Sequence, residues 1–274
     1  MSEDNVAESG KKSTRKKKTS GRTAEVFKPT AEAKSKATQK RIIALLLWFV
    51  AIALEAVAIF WVMRPPFDQL VENQGFPQSR WWLLIGFIVV IGILSMVGSV
   101  LWKKANRLDP ASEKEKFRFF VQNQLGAIIA LIAFVPLIIM IYLNKDMDSK
   151  QKNVAGIVGI VVALAAVFVG IDFKPLSQEQ AAVESQVVAE LTGEDRVWWT
   201  PGGGVMHLCE GVSDLSNSAQ IIDGTTAEAF ADGKDGITLK IDQELNQCGY
   251  EIPDNIDEII EWVREARTTT SKEA

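Results

Sequence analysis

The amino-acid sequence predicts an all-α membrane domain of four transmembrane helices, followed by a small α+β soluble domain. Two observations lead to this fold class. Most apolar residues of the 274-residue chain fall in four runs of about 18 to 22 residues, each long enough as a helix to cross a bilayer. After Arg196 these long runs give way to short β-like runs separated by glycine- and proline-rich turns. The chain is therefore expected to be a membrane protein with soluble parts at both ends.

The N-terminal part, residues 1–41, has a composition typical of a disordered tail. It contains twelve Lys and Arg residues against five Asp and Glu, with few apolar side chains that folding could bury. Its basic cluster could bind anionic lipid headgroups, or it could be a solvated segment that only sets topology. No aromatic residues are interleaved with it, which argues against a specific nucleic-acid site. The cluster comprises Lys11, Lys12, Arg15, Lys16, Lys17 and Lys18.

Four predicted spans make up the transmembrane domain, residues 42–172. A helix satisfies its backbone hydrogen bonds internally, so a long apolar run in a bilayer is expected to be helical. The last run carries no charge, and a fourth crossing would return the chain to the side on which it began. The C-terminal domain and the N-terminus are then on the same side. The predicted spans are residues 42–63, 81–102, 125–143 and 154–171.

The distribution of Lys and Arg predicts the orientation of the spans. Twelve such residues precede the first span, two lie in the first loop, six in the second and three in the third. Because short loops rich in Lys and Arg stay in the cytoplasm, both termini are expected to be cytoplasmic. Residues 172–274 would then carry seven Lys and Arg and twenty-one Asp and Glu into the cytoplasm.

One ionisable residue, Glu55, lies inside the predicted spans, near the middle of the first. A charge at this depth is costly, so Glu55 is a candidate for a proton pathway or for a polar contact between helices or subunits. Ser95 and Ser99 are the polar groups that the other predicted spans offer for a relay. The fourth span also carries a ridge of small residues suited to close helix packing, within the bundle or between subunits. That ridge consists of Ala155, Gly159 and Ala163.

A juxtamembrane amphipathic helix is predicted after the last span, in residues 173–193. Pro175 interrupts the preceding helix, and Ser177 with Gln180 is typical of a capping box. Gly193 is suited to the helix end. Apolar side chains recur at helical spacing, so the helix is expected to lie along the membrane surface or on the following domain. These side chains are Val183, Val187, Val188 and Leu191.

Residues 194–274 are predicted to form a small, acidic α+β domain. A Pro-Gly-Gly-Gly turn between two β-like runs indicates a hairpin, and threonine and aspartate residues before apolar runs indicate helix starts. The predicted elements are strands at 197–200 and 205–209, a helix at 227–232 capped by Thr225 or Thr226, a strand at 237–241 and a final helix capped by Asp254.

Three side chains of this domain could hold a metal ion: His207, Cys209 and Cys248. On a strand, His207 and Cys209 would point to the same face, because side chains two positions apart do so. A structural zinc site takes four ligands, and an Asp or Glu would have to supply the fourth, since the chain holds no further Cys or His. In a reducing cytoplasm the cysteines are instead expected to be ordinary thiols, whereas outside the cell they would be a candidate disulfide pair.

No catalytic residues are predicted, and the chain is not expected to be an enzyme. His207 is the only histidine, and no Ser or Cys stands in a recognisable nucleophile motif. The glycine-rich run after Pro201 lacks the Lys-Ser/Thr of a phosphate-binding loop and opens no predicted helix. It is better explained as a turn.

The stretch VWWTPGGGVMHL at residues 197–208, followed by GTTAEA and Gly233-Lys234, resembles a short module of many bacterial proteins. That module reads roughly V-Y-x-T-x-x-G-x-x-Y-H, continues through a Cys and an S/T-x-x-E-A, and closes on C-x-x-C. The resemblance implies a small metal-ribbon unit. Here Val212 stands where the first Cys is expected and no C-x-x-C follows Gly233. The resemblance therefore implies a fold that has lost its metal site, so that no cofactor is expected, with zinc as the alternative.

The layout of basic tail, four spans and acidic domain resembles that of actinobacterial four-span inner-membrane proteins. Some proteins of that shape are accessory subunits of respiratory cytochrome supercomplexes. The resemblance implies a non-catalytic accessory or scaffolding subunit, whose partners are the lipid bilayer and other membrane protein subunits. Two alternatives stay open: a proton-coupled transporter component that uses Glu55, and a membrane-anchored sensor whose C-terminal domain binds a metal or small ligand.

Overall fold

The structure, a computed structural model, describes residues 27, 29 and 31–272. In this part of the chain, four helices are long and apolar enough to cross a membrane. A small C-terminal part with two short strands follows them. The predicted fold class of four membrane-spanning helices and a small mixed domain is confirmed at this level. The four helical segments are Ala31–Val62, Gln78–Leu108, Lys116–Leu143 and Ser149–Gly170.

The membrane domain is an up-and-down bundle with short connections. Helix α1 packs along α3, which also contacts α4 and α5, and α4 and α5 form a close pair. The end of the bundle where α1 and α4 begin and α3 and α5 end is called the domain-side end below. The elements are α1 (Ala31–Val57, continued by a π-helical turn Ala58–Val62), α2 (Phe67–Glu72), α3 (Gln78–Leu108), α4 (Lys116–Leu143) and α5 (Ser149–Gly170).

Helix α1 begins well before the apolar run that predicts it. Residues 31–41, which their composition places in the disordered tail, are helical, so this part of the prediction is wrong. Alanine is the best helix former, and Ala33 and Ala37 are buried against α3. This contact supplies the tertiary packing that most short polar helices need. The predicted basic cluster at residues 11–18 lies outside the described residues.

Small residues bring α4 and α5 together. Ala155 and Gly159 are buried, and Ala163 is half-buried on the bundle core, so the predicted ridge packs within the bundle. The backbones are in contact at the end of α5, where a Cβ added to Gly170 would lie 2.4 Å from the backbone nitrogen of Ala127. No side chain fits between these two backbones.

The C-terminal domain has a helical core around a minimal sheet. Strand β1 pairs antiparallel with β2, with Val197 opposite Gly224. Apolar side chains of α6, α7, α8 and α9 form one core with those of β1. The elements are α6 (Gln178–Thr192), β1 (Val197–Trp199), a 3₁₀ turn (Ser213–Leu215), β2 (Ile222–Gly224), α7 (Thr226–Ala231), α8 (Ile241–Cys248) and α9 (Ile256–Lys272).

Helix α6 agrees closely with its prediction. The Ser177 side chain accepts a hydrogen bond from the Gln180 amide, and Gly193 ends the helix in the left-handed conformation, with φ 90°. Val183 and Val187 are buried in the core of the domain. Of the two predicted positions for this helix, packing on the following domain is therefore the one observed.

Three other elements of the domain differ from their predictions. The predicted strand at 205–209 makes a single bridge to Trp198, and β1 pairs mainly with β2 instead. In the predicted strand at 237–241, Ile237 makes one bridge, and the chain then enters α8. Helix α9 begins two residues after Asp254, where the Asn255 carbonyl accepts the first helical hydrogen bonds. Helix α7 is capped by Thr225 in a capping box, as one of the two alternatives predicts.

The C-terminal domain sits directly on the domain-side end of the bundle. Ala231 of α7 packs against a cluster formed by the first turns of α1 and the last turns of α3. Arg107 donates to the Lys234 carbonyl at 3.2 Å, and the Gln178 amide donates to the Ala111 carbonyl at 3.0 Å. Each of these contacts joins a bundle residue that precedes the short linker after α5 to a domain residue that follows it. Together they fix the domain against the bundle.

Candidate functional site

Glu55 lies inside the bundle and faces away from lipid. Only 5 % of the Glu55 surface is exposed, and the Oε1 atom of its carboxyl group has no hydrogen-bond partner. The backbone of Leu137, which follows the helix-interior Pro136, approaches the same carboxyl group. One turn further along α1 the helix changes to the π form, a distortion that frequently accompanies functional sites. A side chain buried in this way cannot contact a partner subunit.

Other polar groups inside the bundle lie nearer its domain-side end. Ser99 donates to the Ser95 carbonyl at 2.8 Å, and the Ser95 hydroxyl oxygen has no partner. Asn106 and Asn123 are also buried, and Asn106 donates to the Gln122 carbonyl at 2.8 Å. The two asparagines lie beyond the apolar runs that define the predicted spans, so those runs do not reveal them.

In the C-terminal domain, His207 is paired with Glu244 rather than with a cysteine. The His207 Nδ1 and Glu244 Oε1 atoms are 2.6 Å apart, and both side chains are buried. Glu244 Oε2 accepts a second hydrogen bond, at 3.0 Å, from the Leu208 amide. The two hydrogen bonds engage both carboxylate oxygens of Glu244. The pair thereby ties the segment after β1 to helix α8.

Cys209 and Cys248 form a disulfide, with their Cα atoms 6.0 Å apart. The prediction of two free thiols is therefore wrong, since the described residues hold no free cysteine. The predicted metal set of His207, Cys209 and Cys248 is not assembled either. A disulfide sulfur has no thiolate to offer a metal, and the His207 Nδ1 is committed to Glu244.

A different set of potential metal ligands does come together. The donor atoms of His207, Asp214 and Glu244 lie within 4.8 Å of one another. An imidazole and two carboxylates suit zinc or another divalent ion. However, the Asp214 carboxylate already pairs with Lys240 at 3.2 Å, and an ion would have to displace this lysine and the His207 hydrogen bond to Glu244. In the structure these side chains form two separate pairs, His207 with Glu244 and Asp214 with Lys240.

Lys234 holds the glycine-rich turn in place. Its ammonium group donates to the Thr200 carbonyl at 2.7 Å and to the Gly203 carbonyl at 2.6 Å. Burial of this side chain lowers the pKa of the Lys234 ammonium group. The run after Pro201 is thus a closed turn, as predicted, and its carbonyl groups are occupied by a protein cation.

No family model, curated protein or solved structure matches this chain. The resemblances to a metal-ribbon module and to actinobacterial accessory subunits therefore stay predictions.

The His207 pair leads to a prediction that separates a structural role from a metal site. Glu244→Gln should destabilise the C-terminal domain by about 1–3 kcal/mol, because it weakens a buried, charge-assisted contact. Asp214→Asn should have little effect, since the exposed Asp214 pair contributes on the order of 0–1 kcal/mol. Thermal unfolding of the full-length protein in detergent would measure both changes.

The same proteins give an independent readout, their metal content by mass spectrometry. We expect no stoichiometric metal in the wild type. A stoichiometric ion that is lost from both Asp214→Asn and Glu244→Gln would contradict the structural role and favour the sensor alternative.

Proposed function

We propose that the chain is a non-catalytic accessory or scaffolding subunit of a membrane protein complex. The observation that carries this proposal is the contact between the C-terminal domain and the domain-side end of the bundle, where Ala231 packs against α1 and α3; this contact is called the seat below. Helices α1 and α3 continue beyond their apolar runs and bury Ala37 and Ala105 under the domain. A subunit that positions a soluble domain at a set height above the membrane needs such a contact.

Hydrogen bonds at the linker support the same function. The Glu179 carboxylate accepts from the Ser112 hydroxyl and, at 3.0 Å, from the Glu113 amide. On the other side of the seat, Arg41 of α1 pairs with Asp109 at 2.7 Å, and both side chains are partly buried. The loop between α3 and α4 is thus bonded both to α1 and to the start of α6. Such cross-links favour a fixed platform over a transporter whose helices must move apart.

The surface that the domain presents to a partner is acidic. The loop before α9 and the first turn of α9 carry four exposed carboxylates. Residues 172–274 as a whole have a strongly negative net charge, with twenty-one Asp and Glu against seven Lys and Arg. A partner docking there is expected to be basic, because opposite potentials favour encounter and suppress wrong pairings. The four exposed residues are Glu251, Asp254, Asp257 and Glu258.

The orientation that goes with this function has both termini in the cytoplasm. It is supported by the Lys and Arg distribution of the loops, twelve, two, six and three in chain order. The Cys209–Cys248 disulfide favours the opposite orientation, because disulfides form and persist mainly in oxidising compartments. We give greater weight to the loop charges, which act on every crossing. The cysteine pair, with Cα atoms 6.0 Å apart, is then close enough to bond wherever an oxidant reaches it.

Purification in mild detergent tests the scaffolding function. The wild type should bring down other membrane proteins in fixed ratio to itself. Ala37→Trp should lose them, because a large side chain cannot fit where Ala37 is fully buried and the domain would be lifted from its seat. Ser35→Trp, on the exposed face of the same turn of α1, is the matched control and should keep them.

Recovery of the wild-type chain alone would contradict the scaffolding proposal, as would equal recovery of partners by the two tryptophan variants. Limited proteolysis at the linker, residues 171–177, reports whether Ala37→Trp has released the domain.

Thiol labelling tests the orientation. Intact spheroplasts are treated with a membrane-impermeant phosphine reductant and then with an impermeant maleimide. We expect Cys209 and Cys248 to stay unlabelled until the membrane is permeabilised. Phe67→Cys, placed in a background without the two native cysteines, is the control, because this highly exposed residue lies at the opposite end of the bundle. Labelling of the native cysteines before permeabilisation would place the domain outside.

A second candidate function rests on the unpartnered oxygen of Glu55. A buried carboxyl group with a missing partner is a candidate proton carrier in a membrane domain. Proton uptake by proteoliposomes containing wild type, Glu55→Gln or the control Glu72→Gln, an exposed carboxylate of α2 outside the four spans, distinguishes the two functions. For the scaffolding subunit, we expect the same background flux in all three. Uptake that only Glu55→Gln abolishes, with partner recovery intact, would favour the proton-coupled component.

A further inference from the structure

A basic pocket lies at the junction between the bundle and the C-terminal domain. Its volume is about 240 Å³, several times the roughly 30 Å³ that one water molecule takes up in the liquid. Arg107 of α3 lines it from the bundle, Phe173 and Lys174 from the linker after α5, and Lys234 and Arg267 from the domain. Because α5 ends at Gly170, the pocket is at the level where a membrane-spanning helix leaves the bilayer.

The lining of this pocket carries an excess of positive charge. Four of its residues are cationic, namely Arg107, Lys174, Lys234 and Arg267, and one, Asp235, is anionic. Arg267 is balanced by Glu184 behind it, with Nε and Oε1 2.8 Å apart. The remaining cations outnumber the single lining carboxylate, so the pocket attracts anions.

Hydrogen-bond donors for an anion are available on two sides of the pocket. Arg107 uses its NH1 atom for the Lys234 carbonyl, and among residues 31–272 no carboxylate pairs with this guanidinium. Lys174 is 74 % exposed and reaches Asp235 at 2.9 Å, a surface pair that contributes little and can open. A guanidinium with spare donors and an exposed ammonium that line the same pocket are suited to binding a phosphate group.

The mouth of the pocket is apolar on its membrane side. Phe173 is 62 % exposed and contacts Phe168, which is 67 % exposed on the lipid-facing side of α5, with ring centroids 5.3 Å apart. These two rings form a continuous apolar surface from the last turns of α5 to the basic pocket. A ligand with a phosphate group and acyl chains matches both parts of this surface.

A second cleft between bundle and domain provides a contrast. It is larger, at about 370 Å³, but its three lysines face three carboxylates of the domain, so its charges are balanced within the protein. Those residues are Lys36, Lys40 and Lys104 on the bundle and Asp223, Glu228 and Asp232 on the domain.

We propose that the pocket between Arg107, Phe173 and Lys174 binds the phosphate-bearing headgroup of an anionic phospholipid. The phosphate lies between the Arg107 guanidinium and the Lys174 ammonium, and an acyl chain lies along Phe173 and Phe168. Basic pockets at helix ends are a recurrent site for such headgroups. The proposal concerns a different site from the N-terminal basic cluster, and it holds whichever complex the chain joins.

Native mass spectrometry of the full-length protein in detergent tests the site. The protein is titrated with phosphatidylglycerol, with phosphatidylcholine or with inorganic phosphate. We expect phosphatidylglycerol to bind with a defined dissociation constant, which rises about fivefold in Lys174→Gln and about 25-fold in Arg107→Gln/Lys174→Gln, since each cation near the surface contributes on the order of fivefold in affinity. Lys104→Gln is the matched control, because this exposed lysine lies on the same end of α3 but outside the pocket.

The outcomes of this titration are distinct. Equal weakening by Lys104→Gln and Lys174→Gln would overturn the site, since the lipid would then respond to overall charge. Equal affinity for phosphatidylcholine would overturn the requirement for an anionic headgroup. Inorganic phosphate binding with the same dependence on Lys174, without any preference for the lipid, would show that the occupant is a free anion. Lys174→Gln keeps the test independent of folding, because this side chain is largely exposed.

Discussion

The arrangement of the two domains depends on one contact, the packing of alanines where α1 and α3 extend past the apolar bundle. Ala33 and Ala37 of α1 meet Ala105 of α3, and Ala231 of α7 covers them. Leu108 of α3 belongs to the same cluster, and the small alanine side chains let α7 lie close to the helix ends. This seat brings Lys234 next to Arg107 and closes the basic pocket between them. Both the proposed platform and the proposed lipid site are therefore consequences of the same contact.

The elements that the sequence predicts carry a local signal, whereas the others depend on contacts between residues that are far apart in the chain. The four spans and α6 are recognisable because each carries its own signal, an apolar run or a stripe between Ser177 and Gly193. Residues 31–41 carry no such signal, since their alanines become a buried face only when α3 lies beside them. Strand β2 also lacks a local signal, because its sequence Ile-Asp-Gly shows no alternation of apolar and polar residues. It is a strand because it pairs with β1. Helix α8 begins at the end of a run of β-like residues, and burial of its Ile241 and Leu245 in the domain core stabilises the helical form.

The candidate sites also depend on residues that are far apart in the chain. Glu55 stands out as the one ionisable residue of the predicted spans and His207 as the only histidine, but the sequence does not reveal their neighbours. The carboxylate that meets His207 comes from α8, 37 residues away, and the sulfur that meets Cys209 lies 39 residues away. Both links join the same segment after β1 to the same helix, α8. The basic pocket draws its cations from α3, the linker, the turn after α7 and α9, so no local pattern could predict it.

The contact between Gly170 and Ala127 has a consequence for the linker after α5. Because the two backbones touch there, α5 cannot move nearer to α4 at this point. The contact lies immediately before the linker, so it sets the position from which the chain leaves the bundle. A side chain at position 170 would push the end of α5, and with it the start of the linker, away from α4.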